Sequence, residues 1–331
     1  MDLLTQALLG ATTALSAAKP QQTRIALTTG ALAGLLPDAD ALIRSNSDPL
    51  LVLEYHRHFS HSLLFIPFGA AIVATLVWYF YHQQISYKQV YLYALLGIAL
   101  SAILDACTSY GTHLLWPFSD TRISWNLIAI IDPVFTLCLL IPLIIAVRRK
   151  LPNPARIGLL IAACYMSLAA VQHDRATTIA SALISERGHT AERHLIKPTM
   201  ANILLWRSVY ISDGRIYADA VRASIFSANK TYAGDSVPLL IPEQLSSIPP
   251  DSRAAQDLKR FATFSDGWLA IDPSHPELVG DARYAMLPNS NVPLWGVLID
   301  RTNLNKPLQF ITNRSLSSAG RDQFMQMLTG K

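Results

Sequence analysis

Residues 56–81 read HRHFSHSLLFIPFGAAIVATLVWYFY, a polar knot of histidines and an arginine followed by an uncharged apolar run. That run, Leu63–Tyr81, has the length of a transmembrane helix, which takes about 20 mostly apolar residues. Leu127–Val147 meets the same requirement. Val90–Leu104 and Ile157–Gln172 are shorter, and Leu3–Ala18 and Ile25–Leu36 are shorter still. The last two are expected to form a helical hairpin that enters the membrane and packs on the others. Gly30 and Gly34, four residues apart, would let its backbones approach closely. The pattern predicts an all-α polytopic membrane domain of four to six apolar helices.

Composition changes near residue 173. Before it, apolar runs dominate; after it, charges are common and no run is long enough to cross a bilayer. A length of 331 residues suits about two domains. The expected division is a helical transmembrane domain over 1–172 and a soluble α+β domain over 173–331. The net charge of +4 splits evenly between them, and no basic cluster is interleaved with aromatics, so no nucleic-acid partner is expected. Cys107, Cys138 and Cys164 all lie in apolar segments and read as small buried apolar groups, not a disulfide framework. Residues 1–18 end like a cleavable leader, but Asp2 stands where a basic start belongs, so the segment is read as retained.

Loop charges orient the spans. Arg148, Arg149, Lys150 and Arg156 form the densest basic loop, which should be cytoplasmic. Alternation then places Lys19, Arg24 and Lys88 inside as well, and Arg44, Arg57 and Arg122 outside. The polar domain is expected on the extracytoplasmic side of an inner membrane crossed several times.

The same threading gathers five scattered pieces on the outer side, each at the edge of an apolar segment. They are Gln6, Asp38-Ala39-Asp40, the stretch His56–Ser62, Asp105 and Asp132-Pro133. Ionisable groups near membrane depth are costly and mark functional or paired sites. A divalent cation would compensate several carboxylates at once, and imidazole with carboxylate suits zinc, while carboxylate-rich sets also suit manganese or magnesium. His58 and His61 would share a face of a helix, whereas His56 and His61, five apart, fit a helix-entry loop better. Taken singly, an Asp at a helix end is a cap, and Asp132-Pro133 a helix start with proline at the first position.

The N-terminal half resembles the membrane-bound metal-dependent hydrolases that include the YdjM-like inner-membrane proteins. The stretches that carry the resemblance are Met1–Gly10, Leu36-Pro37-Asp38-Ala39-Asp40, His56–Leu63, Leu104–Phe118 and Ile131-Asp132-Pro133. Beyond residue 150, Phe264-Ser265-Asp266-Gly267 and Asp281-Ala282-Arg283-Tyr284 are similar to the C-terminal region of the longer members. The resemblance implies metal ligands at Asp38, Asp40, His56, His61 and Asp105, with Arg57 and Asp132 in the motifs. This chain departs from the pattern at Gln6 and Ser101, where members often have histidine, and has His58 and His113 as extra histidines nearby.

The expected chemistry is hydrolysis by metal-activated water, with zinc favoured and manganese or magnesium as alternatives. Asp132 is expected as general base or ligand orienter, and Arg57 as a forked donor to a phosphate oxygen. A site at the membrane edge suits a phosphoester or other lipid-like substrate. The alternative is a non-catalytic binding or assembly protein with a degenerate site, which Gln6 and Ser101 favour. In the polar half, Asp213-Gly214 between β-favouring runs predicts a hairpin. Gly267–Ile271 and Leu294–Ile299 are expected strands, and Asp251–Thr263, capped by Asp251, and Leu316–Leu328 are expected helices. His173, His189, His194 and His275 lack ligand spacing.

Overall fold

The computed structural model describes residues 1–242 and 248–331. The chain divides into two compact units. One holds Met1–Ile43, Tyr55–Val171 and Met200–Ile203; the other holds Arg44–Glu54, Gln172–Thr199 and Leu204–Lys331. Helices run in chain order as α1 (Leu3–Ser16), α2 (Thr23–Leu35), α3 (Leu51–Tyr55), α4 (Phe65–Tyr81), α5 (Tyr87–Cys107), α6 (Pro133–Arg149) and α7 (Asn153–Glu186).

In the first unit, α1 starts where Asp2 accepts a hydrogen bond from Thr5 N. It packs on α2 at glycine contacts. A Cβ on Gly30 would stand 2.2 Å from Gly10 O, so only glycine permits this approach. Two helices, α5 and α7, are long and apolar enough to cross a bilayer. A third crossing results if Leu51–His61 and Phe65–Tyr81, bent by 83°, form one broken span. By length and composition the described residues thus hold two or three candidate crossings.

Leu127–Val147 is not one continuous helix. The helix begins only at Pro133, because Asp132 caps it through Phe135 N and proline favours the first turn. Residues 127 and 128 are instead tied to the end of α5, through Leu127 N to Cys107 O and a bridge from Thr108 to Ile128. By contrast, α7 outruns its expected apolar segment and spans 34 residues. No proline or glycine interrupts residues 159–187, and the chain turns at Gly188, whose φ is +71°.

The polarity of this unit is that of a membrane protein. Phe68, Ile72 and Leu76 of α4, Ile141 and Ile144 of α6, and Ile157, Leu160 and Val171 of α7 are exposed. Thr5, Gln6, Asp40, Arg57, His61, Ser101, Asp105 and Asp132 are buried. Apolar surface of this extent is matched by lipid, not water.

The second unit is α+β. Strands β1 (Arg193–Pro198), β2 (Leu205–Ser212), β3 (Arg215–Arg222) and β4 (Lys230–Tyr232) pair in that order, and β5 (Ser236–Pro238) also pairs with β3. The expected hairpin is β2–β3, turning at Asp213 and Gly214 with φ of +51° and +67°. A second antiparallel sheet orders β6 (Leu269–Asp272), β7 (His275–Asp281), β8 (Trp295–Leu298) and β9 (Gln309–Thr312). Helix α8 (Arg253–Phe264) is capped by Ser252, not the expected Asp251, and α9 (Ser318–Thr329) follows. The segment 44–54 is held in this unit by Arg260. Its fork meets Asp48 at 2.9 Å and Glu54 at 2.6 and 3.0 Å, and also Asp257 at 3.0 Å. Arg260 holds the Asp48 carboxyl below its ordinary range by direct hydrogen bonding.

Candidate functional site

The polar centre of the first unit is assembled from four chain segments. The Pro37–Leu42 3-10 turn carries Asp38 and Asp40, and the Phe59–His61 3-10 turn carries Ser60 and His61. Helix α5 brings Asp105 and Ser101, and α1 brings Gln6. Leu36-Pro37 ends α2, and the break between His61 and Phe65 turns α4 away, so both turns present side chains inward rather than continuing a helix.

His61 is the hub. Its Nδ1 lies 3.3 Å from Asp40 Oδ2 and 3.1 Å from Ser60 Oγ. Its Nε2 lies 3.3 Å from Asp105 Oδ2 and 3.6 Å from Asp38 Oδ1, and has no hydrogen-bond partner. Asp40 is bound on both oxygens, by His56 Nδ1 at 2.8 Å, Arg57 N at 2.8 Å and Ser60 Oγ at 2.6 Å. Burial works to raise the Asp40 carboxyl, but its bonds to His56, His61 and Ser60 prevail and hold it well below the usual range. A carboxylate on Nδ1 fixes the imidazole and leaves Nε2 to face the other carboxylates, the arrangement that orients a metal-binding histidine.

Asp105 is buried and heavily engaged. Arg57 Nη2 lies 3.1 Å from Oδ1, the Met1 ammonium contacts the same oxygen, and Gln6 Nε2 donates to Oδ2 at 2.7 Å. Arg57 also donates to Thr108 Oγ1 at 2.7 Å and stands over the Tyr110 ring. Its Nη1 and Nη2 thus meet protein partners, while Nε has no hydrogen-bond partner.

Ligands on one tetrahedral ion, each about 2.0–2.1 Å from it, stand about 3.3 Å apart. The spacings around His61 Nε2 are close to that. Asp38 Oδ2, Gln6 Oε1 and Ser101 Oγ are also buried without hydrogen-bond partners. Yet among the described residues no group of three His, Cys, Asp or Glu side chains is set to hold an ion. Asp105 meets Arg57 and Gln6 as well as His61. Rotation of the Gln6 amide would exchange its Nε2 donor for the unpartnered Oε1. In kind Asp38, His61 and Asp105 are donors a cation accepts, with Asp40 and His56 behind His61, but they are not set around one point.

Gln6 and Ser101 lie at one place. A Cβ on Gly34 would meet Gln6 O at 2.4 Å and Ser101 Oγ at 3.2 Å. The Gln6 backbone carbonyl and the Ser101 hydroxyl thus both border Gly34. Asp132 stands apart: its oxygens accept from Phe135 N at 3.0 Å and Tyr165 OH at 2.8 Å. His58 and His113 pair with each other, their ring centroids 4.6 Å apart, and do not join His61. Ser60, Thr108 and Tyr165 make contacts to which the sequence motifs assign no role. Ser60 lies inside the quoted histidine stretch, but nothing local marks Tyr165, which reaches Asp132 across 33 residues.

A family model described as YdjM inner membrane protein matches residues 1–176. A Bacillus subtilis (strain 168) relative, "Uncharacterized protein YfhP", is 29% identical over 97 residues, covering 29% of this chain and 29% of the relative. The matched region thus spans under a third of that relative's length. No solved structure matches the chain. The family match takes in all four segments that build the polar centre around His61, and it covers more than half of the chain. A buried ionic centre under lipid-facing apolar helices thus belongs to a member of the YdjM inner membrane protein family.

Proposed function

We propose that this protein is a membrane-bound metal-dependent hydrolase acting on a phosphoester or lipid-linked phosphate at the outer membrane face. The observation that carries the reading is the buried His61 Nε2, without a hydrogen-bond partner, set between the Asp38 and Asp105 carboxylates and backed through Nδ1 by Asp40. Asp38, His61 and Asp105 would hold the ion, with Gln6 Oε1 as a neutral fourth donor. A divalent ion there, with zinc favoured over manganese or magnesium, supplies a Lewis acid and a water of lowered pKa. Asp40 keeps His61 in the tautomer that presents Nε2, and His56 in turn holds Asp40. Arg57 balances the charge of Asp105, and Asp132 orders the start of α6.

A second reading, a non-catalytic membrane assembly protein, is favoured by the engagement of Asp105 with Arg57 and Gln6. The Gln6→His, Ser101→His double variant separates the two. Metal stoichiometry and hydrolysis of phosphomonoesters, phosphodiesters and phospholipids are measured for it and for the natural chain. A rise in both quantities supports a hydrolase with a weakened site. No metal and no hydrolysis in either protein would establish the assembly reading instead.

A further inference from the structure

Phe226 is 97% exposed and Ile225 beside it 41%, both on the connection between β3 and β4. The turn that carries them is tied down. Ser227 N donates to Ser224 Oγ at 3.0 Å, and the two hydroxyls lie 2.7 Å apart. Ser224 N donates to Asn229 Oδ1 at 3.1 Å, and Arg222 Nη1 to Ser227 Oγ at 2.9 Å. A single exposed apolar side chain is ordinary on a protein surface. This pair is set apart by where the turn is fastened.

Three contacts fix the level of β3 along α7. Arg187, just past the end of the helix, forks onto Asp219 at 2.7 and 2.9 Å. The His173 ring lies 5.6 Å from that of Trp206, the β2 partner of Val221. Gln172 Nε2 donates to Ala223 O at 2.7 Å. Advancing along β3 therefore means retreating along α7, toward the apolar stretch that is long enough to cross a bilayer. Leu160, Leu168 and Val171 are exposed on that stretch, and Gln172 is the first residue past it. Ser224 continues the trend. Its carbonyl accepts from Arg175 Nη2 at 2.7 Å, while Arg175 Nη1 reaches back to Gln172 Oε1 at 2.6 Å. That side chain thus leans toward the N-terminus of α7, as helical Cα–Cβ bonds do. Ile225 and Phe226 follow Ser224, a further reach of up to about 7 Å.

The level of Gln172 is where α7 passes from hydrocarbon to headgroups. The charges at the base of the turn suit that level. Among the described residues, the Arg175 and Arg222 guanidinium groups bond only neutral oxygens, and Asp174 is exposed on the same turn of α7. Apolar side chains beside uncompensated cations match an interface of acyl chains and phosphates.

We propose that Ile225 and Phe226 form a membrane-interface anchor of the second unit, seated at the acyl–headgroup boundary of the bilayer that α7 crosses. Arg175 and Arg222 then lie at the depth of the lipid phosphates. The anchor uses none of the residues around His61 and stands apart from any chemistry there.

The test uses the full chain carrying Cys107→Ala, Cys138→Ala and Cys164→Ala, reconstituted in vesicles of phosphatidylethanolamine and phosphatidylglycerol. A nitroxide is attached through Phe226→Cys or, at the opposite end of β3, through Arg215→Cys. Power-saturation electron paramagnetic resonance compares collisions with oxygen and with a water-soluble nickel chelate. The oxygen-to-nickel ratio should be about tenfold higher at the Phe226 position, as for a side chain seated roughly 5–10 Å into the interface. A ratio no higher there than at the Arg215 position overturns the anchor. If the cysteine-free chain does not fold, Phe226 is replaced in the natural chain by photoreactive benzoylphenylalanine and irradiated in the same vesicles. A lipid adduct is expected, and a crosslink to protein alone, or none, overturns the proposal.

Discussion

Arg57→Met is the sharpest perturbation of the ionic centre. Arg57 is buried and pairs with Asp105, itself buried, at 3.1 Å. Methionine keeps the Cβ and much of the stem, so the left-handed backbone at φ +61° is strained equally in both proteins. Removing one partner of a buried pair costs about 3–5 kcal/mol, because the remaining charge stays desolvated. The Met1 ammonium and Gln6 amide still face Asp105, so the lower end, about 3 kcal/mol, applies. For a unit of this size that corresponds to about 6–12 °C in melting temperature. A cation accepted at Asp38, His61 and Asp105 would replace the lost charge. At a hundredfold excess over its dissociation constant it returns about 2.7 kcal/mol, nearly the whole loss. The assay is thermal unfolding in detergent with chelator, and then with zinc, manganese or magnesium. A variant as stable as the natural chain in chelator refutes the weight given to the ion pair. A destabilised variant that no cation rescues refutes the metal-site reading.

Gly30→Ala should lower the yield of monodisperse protein and its melting temperature, because the new Cβ would stand 2.2 Å from Gly10 O. Size-exclusion chromatography checks this, and behaviour equal to the natural chain would exclude the tight α1–α2 approach. A reporter fused after Lys331 should be active only in its exported form, and cytoplasmic activity would reverse the charge-based orientation. Asp40 should make stability fall in acid. Its folded carboxyl lies below the ordinary 3.8, so its contribution is present above that value and lost as pH falls below it. Asp40→Asn should flatten the dependence of unfolding on pH in that range, and an unchanged slope would assign it to other groups.

Much of the membrane unit was legible because lipid imposes a simple condition, a long apolar run. Leu63–Tyr81 and Val90–Leu104 correspond to α4 and α5 with small shifts at the ends. The condition fails where a polar contact overrides composition. Leu127–Ile131 is apolar, yet its backbone is taken by the end of α5, and Asp132 starts the helix anew. In the second unit, the Asp213-Gly214 turn was visible because its left-handed angles demand those residues. Strand β7, which contains Pro276 and Gly280, was not visible, since its pairing with β6 and β8 supplies what its composition lacks.

The same division holds for the site. Local sequence marked Asp38, Asp40, His56, His61 and Asp105 as polar groups at the ends of apolar segments where charge is costly, and the family resemblance joined them into one expected set. Only the tertiary structure decided their ranks. Asp40 and His56 bond to each other and stand behind His61, while Asp38 and Asp105 flank its Nε2. It also places Asp132 at the cap of α6 and Arg57 against Asp105. The physical reason is that burial cost is a property of one side chain and its segment, whereas partner choice depends on ångström distances between segments that only packing sets.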